Sequence, residues 1–441
     1  MRCFVVALSA VASGRSVWLL LGVSGMAYSR GVSVIWTVIG YILAELLLFL
    51  FLAPKLRRET ARLDCLTIPD YFEARFQDRS GMLRILSATI ILIFMVTYVA
   101  AQFSGGGKAF HGSWGISNNW GMALTMGIVL VYTILGGFKT VSFIDMLQAI
   151  CMLLALVILP VVAIFRYGGL NLMLEMLRQL DPHLIDPMAL SVGALVGFLG
   201  IGLGSPGNPH ILVRYMSIDD PNQLRISAIW GTVWNVLMAW GAIYVGLIGR
   251  VMYPMIDLLP GADTEQLYPL LGRNHLPPVL FGIVLASIFA AILSTADSQL
   301  LVAASAVVRD IYQKFIRKNQ ALSQKHLVRL SRFTILILVL LAFGLASTAQ
   351  NLIFWLVLFA WGGLGASIGP PIILSLFWEH TSRWGVTAGL VAGTLVVVVW
   401  NQIPALKALV YEGVPAFLIS TILVILVSLI APQPTKKPGV H

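Results

Sequence analysis

Charge is scarce in this chain. Asp, Glu, Lys and Arg make up 11% of its 441 residues, against about 25% in an ordinary soluble domain, which excludes a water-soluble globule. Cysteine is nearly missing. Cys3, Cys65 and Cys151 lie at or within apolar stretches with no metal-like spacing, so neither a disulfide framework nor a thiolate centre is expected. Nor does the sequence offer a nucleophile–base pair, a phosphate-binding glycine loop or a metal-ligand cluster. The chain is not read as an enzyme, and no cofactor is expected. What it has is apolar length: 58% of its residues are hydrophobic, and runs of about 20 apolar residues recur along it. An all-α, polytopic membrane protein is predicted, with the lipid bilayer as its first partner. The formal charge of +10 does not imply nucleic acid, because the Lys and Arg fall in short loops where they set orientation. The 40 glycines suit close helix packing and broken helices. No obligate protein partner is evident.

About twelve spans are read, near 3–25, 31–53, 82–105, 119–138, 142–166, 190–213, 226–252, 278–308, 331–348, 351–377, 384–402 and 412–431. The segment 55–84 carries Lys55, Arg57, Arg58, Arg62, Arg75, Arg79 and Arg84. The segment 309–332 carries Arg309, Lys314, Arg317, Lys318, Lys325, Arg329 and Arg332. Both are expected to be cytoplasmic, together with Lys139, Arg214, Arg225, Arg383, the Lys436-Lys437 tail and both termini. Asp64 to Phe76 and Leu170 to Leu180 read as short amphipathic helices at the interface.

Phe281 to Asp310 is the stretch around which the rest is organised. Ser287, Ala291, Ser294, Thr295 and Ser298 fall on one face of its helix. Small residues there let another helix pack closely, and hydroxyls there are oxygen ligands for a hard cation. Two other spans are interrupted. The first breaks at Ala12-Ser-Gly-Arg-Ser16. The sixth breaks at Gly202-Leu-Gly-Ser-Pro-Gly-Asn-Pro-His210, where glycines and prolines cannot continue a regular helix. Unwound backbone at membrane depth belongs where protein buries it or it lines a cavity. Breaks five spans apart suit two inverted five-helix repeats meeting at a central site. The repeats are placed at about 3–166 and 190–377, within a core of 1–377. Two further helices are placed at 378–431 and a cytoplasmic tail at 432–441.

Several motifs together resemble the sodium:solute symporter family, most closely its sodium/proline branch. They are Tyr132-Thr-Ile-Leu-Gly-Gly-Phe-Lys-Thr-Val-Ser-Phe-Ile-Asp145, Gly207-Asn-Pro-His-Ile-Leu-Val-Arg-Tyr-Met216, Leu293-Ser-Thr-Ala-Asp-Ser-Gln-Leu-Leu301, Phe359-Ala-Trp-Gly-Gly-Leu-Gly-Ala-Ser-Ile-Gly-Pro370 and Thr67-Ile-Pro-Asp-Tyr-Phe72. The resemblance runs from Ala7 to about Trp400. It implies a leucine-transporter-like core and sodium-driven uptake by alternating access, with sodium as coupling ion. By resemblance, carbonyls of Ala12, Arg15 and Ala291 and hydroxyls of Ser294 and Thr295 form the sodium site. Asp145 matches an aspartate tied to ion release on the inner side, and Trp230 a position lining the solute site. The chain departs in two places. Met1 falls roughly where the turn after the family's extra first span would be, so that span is expected to be absent or lost from this version of the chain, and Gly14 followed by Arg15 stands where proline carriers have an aspartate.

Asp145 is read as an ion-pathway residue, against a plain interfacial charge near Lys139. Asp297, one turn beyond Ser294, either tunes the cation site or pairs with a basic group on another helix. His210 is expected to bond carbonyls freed by the second break. Tyr98 and Gln102 are candidate cavity-lining residues, and Arg15 a candidate solute contact that Asp145 or Asp297 would have to neutralise. The function expected is symport of sodium with proline or a related amino acid, across the plasma membrane. Uptake of an organic anion, favoured by Arg15, and a transporter-like sensory module are the rivals.

Overall fold

The computed structural model describes residues 3–135, 138–218, 224–317, 322–348 and 352–433. Gly136-Gly137, Lys318 and Lys436-Lys437 lie outside the described residues, as do the side chains of Lys139 and Arg225. The described chain is helical throughout. Ten of its helical runs are long and apolar enough to cross a bilayer. One of them, Trp18–Arg62, turns back on itself at Gly31, whose φ of 66° suits glycine. The broken passage through Val192–Gly207 adds one more, so the twelve expected passages are present.

Taken in order, the first span is α1 (Cys3–Gly14) and, after the break, α2 (Ser24–Arg30). The second is α3 (Ile35–Leu47) continuing into α4 (Ala53–Arg62). A short helix, α5 (Ile68–Phe76), precedes α6 (Met82–Trp114), α7 (Asn118–Leu135) and α8 (Phe138–Tyr167). Then come α9 (Leu170–Leu180) and the broken sixth span, α10 (Val192–Gly200) and α11 (Pro209–Met216). The second half contains α12 (Leu224–Met252), α13 (Leu267–His275), α14 (Pro278–Ser305), α15 (Gln324–Thr348) and α16 (Ile353–Phe377). The last three are α17 (Arg383–Gln402), α18 (Pro404–Leu409) and α19 (Gly413–Ile430). Helix α1 sits in the middle, packed on α8, α11, α12 and α14, while α17 and α19 pack on each other and on α16.

The second break is built by close approach. Between α10 and α11 the chain runs as a 3-10 turn, Ile201–Gly207, and Asn208 is extended. A Cβ on Gly202 would lie 2.2 Å from the Gly40 carbonyl oxygen, and one on Gly207 2.1 Å from that of Leu364. Only glycine lets this backbone rest on α3 and α16.

Of the two expected interfacial helices, α9 behaves as one, burying only Met173 and Leu177. Helix α5 differs from the expectation: Ile68, Pro69, Asp70, Tyr71, Phe72 and Phe76 are buried. Thr67 caps it, its hydroxyl accepting from the Asp70 amide at 3.1 Å, and charges lock it in place. Arg84 donates to Asp70 (2.7 Å), to Glu73 and to Asp310 (2.6 Å), while Arg309 reaches Asp70 at 3.0 Å. Burial raises the Asp70 carboxyl, but Arg309 and Arg84 outweigh it and hold it below the usual carboxylate range. These ties, with Arg383 to Asp78 at 3.2 Å, bring the two Arg-rich segments and the 383 loop to one side of the molecule.

Candidate functional site

The first break faces α14. Ser294 Oγ lies 3.3 Å from both the Ala12 and the Ala291 carbonyl oxygens, and Thr295 Oγ1 lies 3.2 Å from that of Ser13. The Ser13 hydroxyl donates in turn to the Ser294 carbonyl at 3.0 Å. Four of the five expected cation ligands, Ala12, Ala291, Ser294 and Thr295, are therefore brought together, fully buried. A hard cation with ligand distances of about 2.3–2.6 Å has neighbouring oxygens roughly 3.3–3.7 Å apart, so these spacings are nearly those of a coordination shell. Arg15 follows at the end of α1, its amide donating to the Ala12 oxygen at 3.1 Å.

The Arg15 side chain turns the other way, and its partner corrects the expectation. Neither Asp145 nor Asp297 neutralises it. Its Nη2 donates to Glu45 on α3 at 2.5 Å, its Nε to Asn235 on α12 at 2.9 Å, and its Nη1 to the Gly14 carbonyl at 3.0 Å. The guanidinium carbon lies 3.8 Å above the centre of the Tyr41 ring. Glu45 and Asn235 are 3% and 1% exposed. Sequence reasoning missed both. Glu45 carried a signal, since an acid within an apolar span is functional by default; an asparagine among tryptophans carried little.

Asp145 also finds a partner other than the one considered. Arg214, expected as a loop charge, is buried at 1% exposure and donates to Asp145 at 2.7 Å and to Ser298 Oγ at 2.6 Å. It also donates to Ser9 Oγ at 2.7 Å and to the His210 carbonyl. Ser9 donates to Asp145 at 2.8 Å. Asp297 is fully buried, and one of its oxygens accepts from the Ser298 amide at 2.5 Å. Its other oxygen, and one of Asp145, have no hydrogen-bond partner among the described residues. Beyond Arg214 and Ser298 opens a vestibule of about 530 Å³, lined also by Cys65, Thr67, Arg309 and Asp310. It lies on the side of the Arg-rich loops.

Tyr98 and Gln102 do reach the first break. Tyr98 Oη is 3.5 Å from Ser16 Oγ, and the Gln102 side-chain oxygen accepts from the Val17 amide at 3.4 Å. His210 does not bond carbonyls of the second break as expected: its ring is turned toward the Ser13 carbonyl at the first break and stands edge-on to Tyr98, centroids 6.1 Å apart. Trp230 is not brought to the break. It is 47% exposed, in a stripe with Ile226, Ile229, Val233 and Leu237, the helical spacing of a lipid-facing surface. Asn235 is the residue of α12 that faces the site.

A family model of the sodium:solute symporter family matches residues 1–393. The chain belongs to this family. Among its relatives, the osmoregulated proline transporter OpuE of Bacillus subtilis (strain 168) is 38% identical over 436 residues, 98% of this chain and 88% of the relative. The sodium/proline symporter of Escherichia coli (strain K12) is 36% identical over 437 residues, 98% of this chain and 86% of the relative. A solved Na+-coupled sialic acid symporter, in a substrate-bound outward-open state, superposes with a TM-score of 0.81 at 19% identity, covering 98% of this chain and 91% of that one. MhsT in complex with L-phenylalanine superposes with a TM-score of 0.63 at 13% identity, covering 97% and 98%. The fold is therefore the leucine-transporter-like one. The chain is a multi-pass membrane protein and a secondary transporter that couples a solute to sodium.

Proposed function

We propose that the solute is proline or a closely related amino acid, carried inward across the plasma membrane with sodium. The curated relatives named for proline, 35–38% identical across nearly the whole chain, carry this reading. The oxygens of Ala12, Ala291, Ser294 and Thr295 are proposed as the sodium ligands, with the Arg15 carbonyl beside them. Asp145, Asp297 and Arg214 are proposed to line the ion's way to the inner vestibule. Tyr98 and Gln102 are proposed to border the solute. The repeats are proposed at about 3–166 and 190–377, which puts both breaks at the shared centre. The energetics suffice: one charge crossing 100 mV releases about 2.3 kcal/mol, nearly fifty-fold accumulation, before the sodium concentration gradient is added.

Uptake of an organic anion was suggested by Arg15 alone. Glu45, 2.5 Å from the guanidinium, cancels the charge that favoured it.

Radiolabelled proline uptake into proteoliposomes, with and without an inward sodium gradient, tests the reading. Replacing Ser294 and Thr295 together by Ala removes two oxygens from a shell of about six. Half-saturation by sodium should rise tenfold or more with the protein still in the membrane. Unchanged sodium dependence would take α14 out of the coupling site.

A further inference from the structure

The cation locus uses the backbone of the first break and leaves the Arg15 side chain free for another task. That side chain is held with unusual care. Asn235 bonds both members of the ion pair, accepting from Arg15 Nε at 2.9 Å and donating to the same Glu45 oxygen, Oε2, at 2.5 Å. The break after α1 and the helices α3 and α12 thus contribute one residue each. Stability alone is a weak reason for such a pair, because desolvating two charges offsets most of their attraction.

The space beside it is informative. A small cavity of about 10 Å³ is lined by Gly14, Arg15, Trp18, Tyr41, Tyr98 and Trp361, among others. Gly14 is not demanded by packing. A Cβ there would meet Ile211 Cδ1 at 3.4 Å and Glu45 Oε1 at 3.8 Å, ordinary contacts, and no positive φ requires glycine. What glycine does is keep the ground in front of the Glu45 carboxylate clear. On one side of the cavity, then, is Arg15 with Glu45 held behind it at a fixed spacing, and on the other a set of aromatic rings.

We propose that Arg15 and Glu45 are the two poles of the solute site and that they receive a zwitterion. The solute carboxylate takes paired hydrogen bonds from the Arg15 guanidinium, and its ammonium group faces Glu45. Trp18, Tyr41, Tyr98 and Trp361 surround its apolar part. This deepens the amino-acid reading above and rests on it. A net-neutral pair rejects a lone anion or cation, since either would leave one buried protein charge unmatched; a zwitterion leaves none. In the state described the poles hold each other, and the cavity is about the size of a single water. Solute binding therefore parts the poles, exchanging one ion pair for two.

The test uses the full chain in proteoliposomes. Labelled proline uptake is competed by proline, by cyclopentanecarboxylate (the ring without its nitrogen) and by pyrrolidine (the ring without its carboxylate). In the wild type, proline should compete at least a hundredfold better than either half-molecule. The double variant Arg15→Met/Glu45→Gln removes both charges and strands neither. It should lose that preference and bind proline at least a hundredfold more weakly, while the sodium concentration that half-saturates the tryptophan fluorescence change stays within threefold. Proline affinity within threefold of wild type, or an equal loss of sodium affinity, would overturn the proposal. If the double variant is missing from the membrane fraction, Arg15→Lys decides instead. It keeps the charge and loses the paired geometry, so proline affinity should fall about tenfold, and unchanged affinity overturns the proposal. A wild type that ignores proline but is competed selectively by another zwitterionic amino acid sinks the proline reading and supports the pair. A wild type that carries a singly charged or uncharged solute sinks both.

Discussion

At the residue scale, buried arginines are the surprise, and each is explained by a carboxylate on another helix. Arg214 was counted with the positive loops because it lies near the end of an apolar run. In the fold it is 1% exposed and bonded to Asp145 at 2.7 Å. Removing one member of such a pair leaves an uncompensated buried charge and costs about 3–5 kcal/mol, whereas removing both is often nearly neutral. Asp145→Asn or Arg214→Gln alone should therefore lower the melting temperature in detergent, and the double variant should regain most of the loss. Full additivity of the two losses would show that the residues do not stabilise each other. The hydroxyl-lined face of α14 was legible beforehand because the spacing of Ser287, Ala291, Ser294, Thr295 and Ser298 puts them on one side of the helix. Trp230 differs from its expected place: the family resemblance suggested a solute contact, but the apolar stripe around it decides which way that face of α12 points.

At the element scale, both interruptions were visible as polar or glycine-rich sequence inside apolar runs. What the interruptions rest on was not. The glycines of the second break are required by backbone from α3 and α16, residues more than a hundred positions away. Gly207→Ala should push the break off Leu364, from whose carbonyl oxygen the new Cβ would stand 2.1 Å, and proline uptake per folded molecule should drop at least tenfold. Gly282→Ala on α14, where nothing lies within 4 Å, is the control and should transport normally. Equal activity of the two variants would mean the close approach has no bearing on transport. Helix α5 teaches the converse lesson. Its hydrophobic pattern matched an interfacial helix, yet Arg84 and Arg309 draw it into the protein through Asp70 and Glu73.

For the whole molecule, the Arg-rich segments share one side because ion pairs tie 70–84 to 309–310 and 78 to 383. By the positive-inside rule we propose that this side is cytoplasmic. Single cysteines placed at Ser80 and Ser323, both exposed, should react with an impermeant maleimide in inverted vesicles and not in intact cells. Labelling of both from outside intact cells would reverse the topology. The vestibule of about 530 Å³ opens on the same side and ends at Arg214 and Ser298. On the other side, Trp18 stacks on Phe354 at 5.6 Å between centroids. There Glu265 accepts from the amides of Ile353 and Phe354 at 2.9 and 2.8 Å while holding Lys108 at 2.6 Å. A second cavity of about 530 Å³ lies on that other side, lined by Ser29, Ser104, Lys108 and Asp263 among others, but its wall includes no residue of the first break.

The sequence by itself determined the class, the number of passages, the two breaks and the hydroxyl-lined face of α14. Each of these is local: bilayer length, helical period and the incompatibility of Gly and Pro with a regular helix act within one segment. Partnership was decided only in three dimensions. Arg15 had one carboxylate in Asp145, another in Asp297 and a third in Glu45 from which to draw a neutral environment, and nothing along the chain ranks them. The ranking comes from how α1, α3 and α12 cross, because Coulomb attraction and hydrogen bonding in a dry interior act over a few ångströms of space, however far apart the residues stand in sequence.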